Sequence, residues 1–335
     1  MAFRAQAALA KGGALEPFSY EPQPLGPNDV EIAVSHCGLC HSDIHLVDDG
    51  WGRAIYPLVP GHEIVGTVAA LGSAVGHLAA GQRVGVGWQR GACLECDLCL
   101  GGEENLCAQQ QATCMGGHHG GVADRIRLDG RFVFPIPEAL ASADAAPLLC
   151  GGVTVYSPMR RFNVGPTSSV AVIGIGGLGH MALLMLRALG CEVTAFSTSP
   201  SKKDEALSMG AHDFACSTDA ADVRKHFGRF NLILSTVHAR LDWTTYLRTL
   251  RANGVFCLLG LPPGVIQVPP APLVTGQRSI TGSDIGGRKT IREMLAFAAR
   301  HQIKPLVQRL PMAEANVALQ RLRANQVRYR IVLEN

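Results

Sequence analysis

The sequence predicts an α/β protein of two domains: a β-rich metal-binding domain and a doubly wound parallel sheet. Three observations carry this. Four cysteines, Cys93, Cys96, Cys99 and Cys107, crowd into GACLECDLCLGGEENLC. A strand, a glycine turn and a helix follow one another in VAVIGIGGLGHMALL from Val170. From about Gly151 apolar strands alternate with helices, whereas the chain before it is rich in Gly and Pro. At 335 residues the chain is long for one core and comfortable for two.

In the first domain, VEIAVS and HEIVGTVAAL read as strands, and no long amphipathic helix is present. The four cysteines stand at C-x2-C-x2-C spacing with a fourth after a short loop, a set that can close around one tetrahedral zinc and leave no open position. An iron–sulfur cluster is the main competitor, but no proline follows Cys107 and the last gap is longer than in ferredoxins. Disulfides fit less well. The chain has 11 cysteines, an odd number, and no apolar run precedes Pro17, so no secretory signal is expected and the cytoplasm is the expected setting. Cys37 and Cys40 also form C-x-x-C, but without the thioredoxin-like pattern a redox pair needs.

In the second domain, SSVAVIGI is a buried strand and GGLGHMALLMLRALG a helix ending at Gly190. CEVTAFS, HDFACS, FNLILSTV and GVFCLLG supply further strands, with SKKDEALSMG as a helix between the first two. This alternation argues for a parallel sheet. After SITGSDIGG come a helix, TIREMLAFAARHQ, and a last helix–strand pair. Gly174, Gly176 and Gly179, with Gly177 and Leu178 between them, match G-x-G-x-x-G in the strand–helix context the motif requires. Gly174 allows the turn, Gly176 lets the backbone approach a pyrophosphate, and Gly179 lets helix pack on strand. At the end of the next strand, NAD-preferring folds place an acid on the ribose 2′-OH. Here Ser197, Thr198, Ser199 and Lys202 stand instead, and hydroxyls with a lysine suit a 2′-phosphate. The plain alternative is that Lys202 and Lys203 are solvated first-turn residues.

Composition excludes other classes. The net charge of +3 is spread along the chain, with no basic stretch for nucleic acid or an anionic membrane. No segment reaches the ~18 apolar residues of a membrane span.

CGLCHSDIH (Cys37–His45), PLVPGHEIVG (Pro57–Gly66), the four-cysteine run, LLCGGVTVY (Leu148–Tyr156) and VAVIGIGGLGH (Val170–His180) occur in this order. The order resembles the zinc-dependent medium-chain alcohol dehydrogenases, and most of all their cinnamyl-alcohol-dehydrogenase-like branch, which includes bacterial aldehyde reductases. The resemblance runs from about Val30 to the C-terminus. It implies a GroES-like catalytic domain at 1–150, completed by 286–335, and a Rossmann NADP-binding domain at 151–285. It implies a second, catalytic zinc on Cys40, His62 and Cys150, with the fourth position open to water or substrate. Two zinc ions per chain would then use six of the cysteines. Glu63 is expected behind the metal, and Asp43 as acceptor of the His62 N–H. Ser42 and His45 would pass a proton to solvent by way of the cofactor ribose. The Ser/Thr-rich, Lys-terminated stretch resembles the branch's NADP pocket, to which Ser283 would add. Trp51 resembles a pocket tryptophan.

The chain departs from its relatives at His118-His119, where an aromatic often follows the glycines; the two are pocket residues or plain surface ones. Asp284 replaces an apolar residue, and a buried carboxylate there needs a partner that the sequence does not name. The implied activity is interconversion of primary alcohols and aldehydes, aromatic or medium aliphatic, by hydride transfer with NADP(H). An NAD-dependent polyol or secondary-alcohol dehydrogenase and a non-catalytic relative are the alternatives. A homodimer through the nucleotide-binding domains is implied, near the Pro-rich segment Leu261 to Ile280.

Overall fold

The computed structural model describes residues 2–335. The chain forms two compact units: one runs to Val153 and takes up Gly286–Asn335, and the other is Thr154–Ile285.

The first unit is built on a seven-stranded sheet. Its path runs Val307–Pro311, Arg330–Glu334, Asp29–Leu39, Glu63–Leu71, Arg83–Val86, Phe134–Pro135, and Arg125–Asp129 also pairs with Asp29–Leu39. The long strand Asp29–Leu39 is thus the hub. Val30, Ile32, Val34, Cys37 and Leu39 from it enter one apolar core with Ile64, Val68, Val84, Val86 and Ile126. Antiparallel pairing sets Gly38 opposite Glu63 and Cys37 opposite Ile64. The register therefore brings Cys40, just past one strand end, beside His62, just before the start of its neighbour.

Helix His41–Val47 starts at once. Cys40 is its N-cap: Ser42 N–H donates to Cys40 Sγ at 3.3 Å, and Asp43 accepts from Cys40 N–H at 2.9 Å. The sequence C-H-S-D is thus a capping box in which a thiol takes the place of a hydroxyl. The cysteine-rich segment hangs from a small antiparallel ribbon, Gln89–Gly91 with Gln111–Ala112.

The second unit holds a six-stranded parallel sheet in the order Asp213–Cys216, Glu192–Ser197, Ser169–Ile173, Phe230–Ser235, Leu250–Leu258, Ser279–Gly282. Numbered along the chain this is the 3-2-1-4-5-6 order of doubly wound nucleotide-binding sheets. Val170 to Val172 and Leu232 to Leu234 are at most 1% exposed, so both faces are covered and the strands read as unbroken apolar runs. The predicted GVFCLLG strand is longer than its apolar core suggests. It begins at Leu250, with a register irregularity that absorbs the exposed Arg251, Ala252 and Asn253. The Pro-rich segment holds a short helix, Pro270–Gly276, with Pro at its first position, where the missing N–H costs nothing. A sixth strand follows it at the sheet edge.

Candidate metal and nucleotide sites

Ligand atoms of Cys40, His62, Glu63 and Cys150 lie within 4.8 Å of one another, all buried. Cys40 Sγ and His62 Nε2 are 3.3 Å apart. A zinc ion with ordinary Zn–S and Zn–N lengths gives a tetrahedral edge of about 3.5 Å. Cys150 arrives on a π-helical turn, Leu148–Gly152, that leads into helix Val153–Arg161. Such widened turns are rare and occur often at functional sites.

Asp43 is fully buried behind the histidine. Its Oδ1 lies 3.1 Å from His62 Nδ1 and accepts from Gly61 N–H at 2.8 Å. The pairing fixes the His62 tautomer and aims Nε2 at the thiols. Burial presses the His62 imidazole down, but Asp43, Cys40 and Cys150 outweigh it and hold it well above its ordinary value. The hydrogen bond from Cys150 holds Cys40 well below the usual thiol range, and the same bond, with burial, holds Cys150 well above it.

Glu63 is held from behind by Arg330, which donates from Nη2 to Oε1. Its other oxygen, Oε2, is buried with no hydrogen-bond partner. Burial pushes the carboxyl up to about 7, against Arg330. An orphaned carboxylate oxygen beside two thiols and an imidazole fits a cation. A Cβ at Gly38 would lie 2.2 Å from that oxygen, so glycine is required there.

An aromatic wall stands beside these groups. Trp88 meets the His62 ring edge to face at 4.9 Å, Trp51 meets Trp88 at 5.9 Å, and His45 stacks on Trp51 at 5.1 Å. Cys114 also comes within 4.8 Å of Asp43 and His62. It donates to Gly61 O at 3.1 Å, and burial pushes its thiol up to about 11.

The four lobe cysteines form a second cluster. Sulfur separations are 3.8 Å for Cys93 to Cys99, 3.9 Å for Cys96 to Cys107 and 3.5 Å for Cys107 to Cys93. A tetrahedral zinc with four thiolates gives edges of about 3.8 Å. The cage has the size of one ion, smaller than a multi-iron cluster, and far too wide for a disulfide. Backbone N–H groups of Glu95 and Cys96 hold Cys93 down at about 6, and burial pushes Cys99 up to about 12.

In the other unit, Gly174 has φ +90, and a Cβ there would lie 2.4 Å from Val237. A Cβ at Gly179 would lie 1.9 Å from Gly174 O, while one at Gly176 meets nothing within 4 Å. Gly176 thus leaves open backbone, and Gly174 and Gly179 serve turn and packing. Helix Gly179–Ala188 has no side-chain cap; His180 N–H donates to Gly176 O at 3.0 Å, and an uncapped helix start of this kind suits an anion. Thr236, past the fourth strand, donates to Gly174 O at 2.9 Å and braces the turn. Ser199 N–H donates to the buried Ser197 Oγ at 3.2 Å, Thr198 is exposed, and Lys202 Nζ donates to Ile175 O at 2.7 Å. The lysine thus lies across the glycine turn. Ser283 N–H donates to Leu258 O at 3.1 Å.

His118 and His119 both make contacts within the first unit. His118 contacts two carbonyls, Thr113 O at 2.7 Å and Arg127 O at 3.0 Å, and His119 packs on Tyr20 at 4.4 Å. Asp284 is exposed at the residue level, yet burial of its carboxyl raises it above its ordinary value. Sequence reasoning missed Trp88, Arg330, Gly38 and Cys114. Trp88 had a signal, a large aromatic beside the cysteine run; an arginine opening the apolar strand RIVLE was another.

A family model for the alcohol dehydrogenase GroES-like domain matches residues 26–138, and one for zinc-binding dehydrogenases matches residues 177–300. An aldehyde reductase of Synechocystis sp. is 47% identical over 99% of this chain and 98% of its own. An NADP-dependent alcohol dehydrogenase of Mycolicibacterium smegmatis is 41% identical, covering 98% and 97%. Among solved structures, a cinnamyl alcohol dehydrogenase from Sorghum bicolor superposes with TM-score 0.95 at 37% identity, covering 100% of this chain and 98% of its own. CAD from Helicobacter pylori, in complex with NADP(H), gives TM-score 0.91 at 32% identity, covering 100% and 98%.

Proposed function

The chain belongs to the zinc-binding alcohol dehydrogenases with a GroES-like domain, and on that premise we propose that it interconverts primary alcohols and aromatic or medium aliphatic aldehydes with NADP(H). The observation that carries the reading is the buried Cys40, His62, Cys150 donor set, two thiols and one imidazole with a tryptophan beside them. Bound there, zinc supplies a Lewis acid for the alcohol or aldehyde oxygen, and the nicotinamide carries the hydride.

The protein's own groups do the rest. Cys40 and Cys150, as thiolates, offset the charge of a divalent ion. Asp43 holds His62 in the ligating tautomer. Trp88 and Trp51 present flat apolar faces, which favour an aldehyde with a hydrogen on the reacting carbon over a bulkier ketone. Ser42 and His45 hold and move the proton, and the stacking of His45 on Trp51 keeps its ring in place. A Cβ at Gly50 would lie 2.8 Å from His45 Nδ1, so glycine preserves that ring's room.

Carrier preference rests on Ser197, Ser199 and Lys202, with no acid at the strand end. The relative from Mycolicibacterium smegmatis described as NADP-dependent supports it. A homodimer through the sheet edge Ser279–Gly282 is supported by exposed Leu261, Val265 and Val274 nearby in the chain. The 11 cysteines are all free, which supports a reducing, cytoplasmic setting. No helix among the described residues is long and apolar enough to cross a membrane.

An aldehyde panel, followed by loss of NADPH absorbance, tests the reading. Turnover with aldehydes, two zinc ions per chain and little activity with NADH are expected. Polyol or ketone turnover with NADH would replace it by the secondary-alcohol reading, and a folded protein with zinc only in the lobe by a non-catalytic one. Light scattering at micromolar concentration tests the dimer, and a fully active monomer refutes it.

A further inference from the structure

The four-cysteine lobe carries a carboxylate that ligates nothing. Glu104 stands between Cys99 and Cys107, is 2% exposed, and gives both oxygens to Arg288. Oε1 accepts from Arg288 Nε at 2.6 Å, and Oε2 accepts from the Arg288 backbone N–H at 3.0 Å. Arg288 opens helix Arg288–Arg300, whose own N-cap is Gly287 and has no side chain to offer. Glu104 therefore caps that helix from 184 residues away. A buried carboxylate at the positive end of a helix dipole is well placed to do so.

The fit is close on every side. A Cβ at Gly287 would lie 2.0 Å from Gly102 O and 2.6 Å from Glu104 Oε2, so only glycine lets lobe and helix meet. Gln89 Nε2 donates to Glu104 O at 2.7 Å and holds the backbone from below. The Arg288 guanidinium lies 5.4 Å from the centre of the Phe132 ring. Immediately before the helix, Ile285 has φ +28, a left-handed conformation that a β-branched residue resists. Such strain persists only where the surroundings over-determine the backbone. The Glu104–Arg288 clamp begins three residues later.

The strained residue belongs to the segment Ser283 to Gly287, which joins the edge strand Ser279–Gly282 to the capped helix. We propose that Glu104 is a positioning residue for the nucleotide: by fixing the first turn of helix Arg288–Arg300 it sets the backbone of Ser283 to Gly287. The inference rests on the reading that Ser283 faces the cofactor. It gives the lobe a task besides stability, since the ion on Cys99 and Cys107 holds the loop that presents Glu104.

Glu104→Gln tests it, because the amide keeps the volume and loses the charge and one acceptor. Zinc content, melting temperature, NADPH Kd by nucleotide fluorescence, and separate KM and kcat values are measured. The proposal expects two zinc ions per chain, NADPH Kd and KM raised about tenfold, as loss of a charge-assisted bond implies, and a smaller change in kcat. Should Glu104→Gln lose the lobe zinc, Arg288→Gln leaves the lobe intact and keeps the backbone cap, and it should raise the NADPH Kd by a smaller factor. A lower melting temperature with unchanged NADPH Kd and KM in both variants makes the clamp merely structural and overturns the proposal. Ser283→Ala separates the premise. If it leaves the Kd unchanged, the cofactor reading of the segment fails and this proposal with it. If it raises the Kd while both clamp variants do not, the positioning role alone fails.

Discussion

Replacing Asp43 by Asn probes how the Cys40 cluster keeps its metal. Asp43 accepts from Cys40 N–H at 2.9 Å and Gly61 N–H at 2.8 Å, and pairs with His62 Nδ1 at 3.1 Å, with no exposure to water. Three donors converge on one carboxylate. An asparagine offers a single acceptor oxygen. If that oxygen faces His62 and Gly61, the amide N–H groups point at Cys40 N–H, and the N-cap of helix His41–Val47 loses its reciprocal bond. If it faces Cys40, the His62 N–H meets another donor and the imidazole turns. Either way one charge-assisted bond is lost, about 1.5–3 kcal/mol, and a buried donor is left unpaired. The metal feels part of this, and loss of such an outer hydrogen bond costs about 10–100-fold in affinity. Asp43→Asn should therefore be folded but give up zinc to a chelator about one to two orders of magnitude weaker than the wild type needs. Elemental analysis after equilibration with graded chelators checks it. The expected stoichiometry falls from two to one, because the lobe keeps its ion. Two zinc ions retained at the wild-type chelator midpoint would refute the reasoning.

Cys96→Ser should lower the melting temperature and cause aggregation, whereas Cys40→Ser should stay folded and inactive; elemental analysis and thermal melts separate the two. Lys202→Ala should raise the NADPH KM roughly tenfold to a hundredfold, through loss of one charge-assisted contact of about 1.5–3 kcal/mol, and an unchanged KM would remove it from the pocket. His45→Ala should keep both zinc ions, shift the pH dependence of alcohol oxidation, and spare aldehyde reduction at low pH; loss of zinc would make His45 a ligand instead. Glu31 is buried and paired with Arg125 and Arg127, and the arginines outweigh desolvation to hold its carboxyl below the ordinary value. A depressed carboxyl stabilises the fold above its unfolded pKa and ceases to as pH falls through the folded one. Glu31→Gln should thus cost about 1–3 kcal/mol at pH 7 in denaturant melts, and the gap to wild type should close in acid.

Much of this protein is legible in one dimension because the relevant geometry is local. The four lobe cysteines span fifteen residues, and the glycine turn sits between its own strand and helix. The doubly wound sheet follows from strands buried on both faces, which leave unbroken apolar runs. The groups that escaped are those whose partners are remote. Arg330 meets Glu63 across 267 residues, and Arg288 meets Glu104 across 184. No spacing rule connects such pairs. His118 stayed open between pocket and surface for the same reason: its ring nitrogens face the carbonyls of Thr113 and Arg127, and the Arg127 contact comes from a separate strand that its place after two glycines does not reveal. The register irregularity at Leu250–Leu258 was hidden because polar Arg251 and Asn253 interrupt the apolar pattern that marks the strand's second half.

The two clusters also show why similar ligands serve different ends. In the lobe, four thiolates exceed the charge of a divalent ion by two. Cys93 and Cys96 are half-buried there, and water and backbone N–H groups carry the surplus. The Cys40 cluster is wholly buried and has no such relief. Two thiolates balance a divalent ion, and Glu63 is balanced by Arg330. Only the Asp43 charge remains, and it is spread over the three donors that surround it. A third thiolate as fourth ligand at that depth would bury an uncompensated charge, which low-dielectric surroundings penalise heavily. A neutral oxygen ligand adds none. Burial and charge balance together therefore favour an open position there, filled by a neutral alcohol or aldehyde, just as partial exposure permits the lobe to close.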